Sequence, residues 1–260
     1  MGLSLFAAGS LRATLPAFIE QYHQKTGEEW TLTFGPAGLL RQRIEQGEIC
    51  HLFLSADENN TQQLIQKGIA LQYAPFIGNQ LCITAHRDCV SEHDTWLSLL
   101  ANPALKLGTS TPKSDPSGDY CWQLFEKIEQ TNPSLGKQLK QRAIPLVGGK
   151  HSLTIPVGKM AAHYLITTQQ ADLFIGYQHY QHILSQFPEL MVFTIPNPFN
   201  VMAHYCAALI DAQAYGLYQE ILSPYAKHYF VDVGFLPLTE PISSMNSGKK
   251  ENIVINNQCV

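Results

Sequence analysis

Apolar residues change rhythm repeatedly along the first eighty positions, and each change marks an element. Leu3 to Phe6 read as a short buried strand. From Leu11 the spacing turns helical, with Leu11, Leu15, Phe18, Ile19 and Tyr22 on one face. A strand over Trp30–Phe34, a helix over Leu39–Glu45, a strand over His51–Ser55 and a helix over Thr61–Lys67 closed by Gly68 follow. Alternation at this rhythm predicts βαβ units on a parallel sheet. Right-handed crossovers then gather the strand exits on one edge, where open α/β sheets take their ligands.

A strand over Leu81–Thr84 opens a second unit. Helices are predicted over Trp96–Leu100, Gly118–Gln130 and Lys159–Thr168, and strands over Leu105–Gly108 and Leu173–Tyr177. Pro196-Asn197-Pro198 is a stiff connector. Beyond it lie the apolar run Tyr205–Ile210, a helix over Ala214–Leu222 and a last helical segment ending near Phe230. The pattern closes at Gly234-Phe235-Leu236, and from Ser243 the chain is polar, rich in Asn and Lys. The expected architecture is α/β with two lobes joined by two crossings, near residues 79–84 and 195–204. Lobe one is residues 1–80 plus 200–240, lobe two is 81–199, and 241–260 is a polar tail. A cleft between two such lobes is a natural ligand site, and hinge closure can seal it.

Composition narrows the function. Of 260 residues, 45% are hydrophobic and 15% charged, which is globular, and the formal charge of -4 argues against nucleic acid or an anionic membrane as partner. No apolar run reaches the length of a membrane span. Six cysteines are scattered without a CxxC pair and read as small buried thiols. His179 and His182 are three apart, but no metal-ligand pattern surrounds them, so no metal site is expected. The chain has no GxSxG elbow, no GxGxxG and no GxxxxGK[ST], so neither an enzyme nor a nucleotide cofactor is expected.

Four loops share one construction. Ala8-Gly9-Ser10, Gly35-Pro36-Ala37-Gly38, Asp115-Pro116-Ser117-Gly118 and Ile155-Pro156-Val157-Gly158 each combine small residues with a following helical pattern. Helix starts carry unpaired N–H groups and a positive dipole end. Four of them facing one cleft bind an anion without lysine or arginine. Ser10, a favoured residue ahead of a helical face, reads on its own as a helix cap. Asp57-Glu58, after Ser55-Ala56, reads as a cap, as do Asp115 and Asp119 around Ser117.

The order of these segments resembles a known family. Phe6-Ala7-Ala8-Gly9-Ser10-Leu11, Phe34-Gly35-Pro36-Ala37-Gly38, Leu52-Phe53-Leu54-Ser55-Ala56-Asp57, Gly78-Asn79-Gln80-Leu81, Pro116-Ser117-Gly118-Asp119-Tyr120 and Ala171-Asp172-Leu173-Phe174-Ile175-Gly176-Tyr177 are similar to segments of the periplasmic molybdate-binding proteins of ABC transporters. The resemblance runs over residues 3–237. It implies a two-lobed periplasmic-binding-protein-like fold that captures molybdate or tungstate for an ABC permease. It also implies a monomer without cofactor, in the periplasm or exported to the cell envelope, with an export segment removed ahead of this chain. By the same resemblance Ser10 gives its hydroxyl and N–H, with Gly9 beside it. Ala37 and Val157 give N–H groups, Ser117 an N–H and a hydroxyl, and Tyr177 its phenol. Asp115-Pro116-Ser117-Gly118 also resembles the Asp-Pro-Cys-Gly loop of an archaeal tungstate- and molybdate-binding branch, whose aspartate approaches the metal. His51 stands where the family has an aspartate. Two alternatives stay open, a different small anion or a ligand-sensing regulatory domain on the same fold.

Overall fold

The computed structural model describes residues 2–238. The first lobe is built on a sheet whose central strands are almost wholly apolar. Its strands are β1 (Leu3–Ala8), β2 (Trp30–Gly35), β3 (Leu52–Ser55), β4 (Gln72–Asn79) and, after the second lobe, the returning Ala203–Leu209. The second sheet contains β5 (Leu81–His86), β6 (Leu107–Ser110), β7 (Ile144–Val147), β8 (Leu173–Tyr177) and β9 (Leu190–Thr194). The returning strand is β10. The two orders are β2-β1-β3-β10-β4 and β7-β6-β8-β5-β9. The fold is two-lobed α/β. The chain crosses between sheets through Gln80 and again through residues 195–202.

The sheets are mixed, which corrects the expectation of purely parallel pairing. β1 pairs in parallel with β2 and β3, but β10 runs antiparallel between β3 and β4. In the second sheet β5 is antiparallel to both β8 and β9. The cause is the double crossing. A chain that leaves one lobe and re-enters it must bring its return strand in from the opposite end. β10, AHYCAAL, has the small and apolar residues that a strand with a neighbour on each side demands.

Helices cover the sheets. α1 (Leu15–Thr26) buries Leu15, Phe18, Ile19 and Tyr22 and stops at Gly27, whose φ of 75° no β-branched residue would tolerate. α2 (Ala37–Glu45) and α3 (Glu58–Gln66) pack together on the same lobe. Lobe two carries α4 (Trp96–Ala101), α5 (Pro116–Thr131), α6 (Pro133–Arg142), α7 (Ala161–Thr167) and α8 (Gln181–Leu184). α9 (Tyr215–Leu222) and α10 (Pro224–Asp232) return to lobe one. There Phe230 stacks on Phe18 at 5.6 Å between ring centroids, and Tyr229 donates to Thr14 O at 3.0 Å. Leu236 then pairs with Gly78 at the edge of β4. The expected tail from Ser243 lies outside the described residues.

Several boundaries differ from expectation. The segment after β1 does not enter its helix at Leu11: Gly9–Leu11 form one 3-10 turn, and α1 begins only at Leu15, with Pro16 in its first turn. α7 begins at Ala161, not Lys159. The strands β4, β7 and β9 and the helix α6 were not expected at all. β7 is only four residues, two of them exposed, so alternation has no room to register. His51, unexplained by sequence, accepts from Ser4 N at 3.0 Å and so ties β3 to the start of β1.

Candidate functional site

Strand register sets the first half of the site. Ala8 stands opposite Gly35 at the ends of two parallel strands, so the exits Gly9-Ser10 and Pro36-Ala37 emerge side by side. Tyr177 ends β8 in the other lobe, and its ring lies 5.8 Å from that of Tyr205 on β10. Tyr205 in turn donates from its hydroxyl to Ser10 Oγ at 2.8 Å. The exits carrying Gly9-Ser10 and Pro36-Ala37 thus lie side by side on lobe one, and Tyr205 links Ser10 to the Tyr177 ring of lobe two.

Ser10 is not a helix cap, which corrects half of its expected role: no side chain caps the 3-10 turn. Its oxygens are engaged by other elements instead. Ser10 O accepts from Tyr180 Oη at 2.9 Å and lies 3.2 Å from His179 Nε2. His179 and His182 do not form a metal pair. His179 is buried in this cluster, while His182 sits beside Gln186. Among the described residues no group of His, Cys, Asp or Glu is arranged to hold a metal ion.

Tyr177 presents the most telling atom of the cleft. Its side chain is 6% exposed, and its hydroxyl is buried with no hydrogen-bond partner. Burial pushes its pKa well above the usual phenol value, and Tyr205, Tyr120, Asp115 and Asp57 nearby push the same way. It therefore stays a protonated donor at any physiological pH. A buried hydroxyl without an acceptor costs about 1–3 kcal/mol.

The second lobe contributes the start of α5. Asp115 caps that helix, with Oδ1 accepting from Ser117 N at 3.1 Å. The Ser117 N–H is therefore already taken by protein and is not free as expected. Asp115 Oδ2 lies against Gly148, where an added Cβ would meet it at 2.5 Å. Burial pushes the Asp115 carboxyl up to about 6. The hydrogen bonds from Ser117 and Ser110 pull it down, and the neighbouring carboxylates Asp119 and Asp57 push it up. Asp119 is held by Lys113 N at 2.8 Å, and Asp57 caps α3 while also accepting from Ser55 Oγ at 2.8 Å. The expected caps at Asp57 and Asp115 are seen, but Asp119 lies inside α5 and binds the Lys113 N–H ahead of the helix instead of capping it.

The mouth of the cleft is shut. Gly38 N, at the start of α2, donates to Ser114 O of the other lobe at 3.0 Å. A Cβ at Gly38 would stand 2.8 Å from both Lys113 O and Ser114 O, so only glycine permits this approach. Tyr120 Oη adds a second strap, donating to Ala56 O at 3.1 Å. Gly38 N–H, like that of Ser117, is consumed by protein. Val157 is not drawn in. It lies on a turn three residues before the Met160 cap of α7, its side chain 98% exposed. No hydrogen bond among the described residues ties it to the Ser10 and Tyr177 group.

An interlobe cavity of about 800 Å³ is lined by Asp57, Asp119, Arg41, Asn60, Trp122 and His204, with Ser114 and Tyr120 of the closed mouth also on its wall. None of the sequence-selected site residues lines it. The residues that sequence reasoning missed are Asn79, His179, Tyr180 and Tyr205. By sequence Asn79 falls at the first crossing and Tyr205 in an apolar run, neither with a role at the site, and only the fold brings the four together.

A closed cleft with oriented neutral donors and buried tyrosines suits capture of a small solute. The chain matches the model of the family described as bacterial extracellular solute-binding protein over residues 3–236. The chain belongs to that family. It is 40% identical over 237 residues to an uncharacterized protein of Pasteurella multocida, covering 90% of this chain and 98% of that one. It is 27% identical over 135 residues to the molybdate-binding protein ModA of Escherichia coli, which is 48% of this chain and 51% of ModA. In structure it resembles the periplasmic molybdate-binding protein of Azotobacter vinelandii. There the TM-score is 0.71 at 18% identity, with 90% of this chain and 98% of that one covered. That likeness establishes the shared fold. Among the described residues of this solute-binding protein, no helix is long and apolar enough to cross a membrane.

Proposed function

We propose that this solute-binding protein captures a tetrahedral oxyanion, molybdate or tungstate, between lobe one (1–80 with 200–240) and lobe two (81–199). It acts as a monomer in the periplasm or cell envelope and delivers the ion to an ABC permease. The observation that carries this reading is the Tyr177 hydroxyl, a buried donor without an acceptor, on a ring packed against the Tyr205 that bonds Ser10 in a shut cleft. Gly9, Ser10, Ala37 and Tyr177 supply neutral donors, and Ser117 adds its hydroxyl. Val157 joins only after its loop moves inward. Neutral donors suit such an ion, because selection then rests on size and hydrogen-bond pattern in a dry cleft. Partial identity to two molybdate-binding proteins adds weight.

Asp115 favours a second reading, an oxyanion that carries its own O–H. A buried carboxylate beside the donors accepts a hydrogen bond from such an ion but repels a fully ionised one. Calorimetry and thermal shift against molybdate, tungstate, sulfate and phosphate separate the two. Tight binding of molybdate or tungstate supports the first, preference for phosphate supports the second, and no response to any of the four overturns both.

A further inference from the structure

Ser10 is held by three donors drawn from two places in the fold, His179 and Tyr180 on the turn after β8 and Tyr205 on β10, and each can be traced atom by atom. Asn79 ends β4 at the first crossing and is fully buried. Its Oδ1 accepts from Gln80 N at 2.9 Å, which fixes which end of the amide is oxygen. Its Nδ2 therefore donates, to His179 Nδ1 at 2.8 Å and more weakly to Tyr205 Oη at 3.5 Å. An imidazole whose Nδ1 accepts must carry its proton on Nε2. That N–H faces Ser10 O at 3.2 Å, beside the Tyr180 hydroxyl at 2.9 Å. Burial drives the His179 pKa down to about 3, so the ring stays neutral and keeps this tautomer. Phe235 stacks on the same ring at 4.2 Å, which removes its freedom to flip.

The Tyr205 hydroxyl has its own direction. It receives the Asn79 amide and so points its proton at Ser10 Oγ, 2.8 Å away. With that oxygen already accepting, the Ser10 hydroxyl is left as a donor. Its carbonyl is occupied on the other side. We propose that Tyr205, His179 and Tyr180 are positioning residues that clamp the Ser10 turn at the hinge and turn the Ser10 hydroxyl proton toward the bound oxyanion. The inference rests on the oxyanion reading above for its ligand, though the clamp itself exists without one. It also divides the labour of the cleft. Ser10 is set in place from the hinge side, while the Gly38 to Ser114 hydrogen bond closes the mouth.

The test is a double-mutant cycle read by titration calorimetry with molybdate on the full chain, using wild type, Ser10→Ala, Tyr205→Phe and the double variant. Tyr205→Phe keeps the ring that packs against Phe76 and Phe235, and its melting temperature reports whether the fold survives. Loss of one oriented hydrogen bond to an ion weakens affinity by about tenfold. The expected result is such a loss in each single variant and no further loss in the double one, because Tyr205 acts through Ser10. Losses that multiply, or a Tyr205→Phe variant equal to wild type, overturn the proposal. Nitrogen NMR of the ligand-free protein supplies a readout that needs no anion. His179 is expected as the neutral Nε2–H tautomer, and the Nδ1–H form or an imidazolium near neutral pH overturns the clamp. A wild type that binds no oxyanion refutes the ligand reading alone, and the imidazole spectrum still decides the clamp.

Discussion

Replacing Asp115 with Asn tests the electrostatics of the cleft most directly. The carboxyl is buried beside Asp119 and Asp57, and its pKa stands at about 6 against 3.8 when free. An acid with a raised folded pKa is stabilising only while protonated. As pH rises from about 4 to about 6 the folded state still holds a proton that the unfolded chain has released, so stability falls across that window and is then flat. A displacement of roughly two units amounts to about 3 kcal/mol at about pH 7.5, and to about 1 kcal/mol at about pH 4.5. Asn keeps an oxygen for Ser117 N, so the helix cap survives. Asp115→Asn is therefore expected to be more stable than wild type, with an advantage that grows by about 2 kcal/mol between those two pH values. Urea unfolding of both proteins at a series of pH values measures it, and taking the difference cancels the titration of groups that do not interact with Asp115. An advantage independent of pH, or a variant less stable at neutral pH, refutes the placement of Asp115 as a buried, crowded carboxyl.

Other outcomes follow from the same geometry. Tyr177→Phe removes a hydroxyl that bonds to nothing in the free protein, so the thermal midpoint is expected to hold or rise while oxyanion affinity falls by about ten- to a hundredfold in calorimetry. Gly38→Ala drives a methyl into Lys113 O and Ser114 O, so the mouth is expected to stay open. Small-angle scattering then shows a larger radius of gyration, with anion affinity down by about tenfold. Phe18→Ala removes a ring packed on Tyr225, Tyr229 and Phe230, and denaturant unfolding is expected to show a loss of about 3–5 kcal/mol.

Much of lobe one was legible from local pattern. β1, β2, β3 and the faces of α1 and α2 follow from apolar spacing, and a strand, turn and helix at each joint put the candidate loops at strand exits. The caps at Asp57 and Asp115 were equally visible, since a carboxylate before a helical face has few better roles. Where N–H groups end up was not visible. Gly38 and Ser117 have the right residues for free donors, yet one bonds across the mouth and the other to its own cap. Helical spacing from Leu11 likewise could not reveal that Gly9–Leu11 wind as a separate 3-10 turn.

By itself, then, the chain determined its α/β class and its two-lobed layout, because periodicity and turn chemistry are written in neighbouring residues, while its loop segments carried a resemblance to a known family. Only the tertiary structure decided which way β10 runs, that the lobes meet through Gly38 and Ser114, and that Ser10 is gripped from 169 and 195 residues away. Those contacts depend on register and burial between distant segments. A buried polar atom reveals its partner, or its lack of one, only when the whole fold surrounds it. Ser10 and Tyr177 look equally available in the sequence; in the structure one is held fast and the other waits for an acceptor.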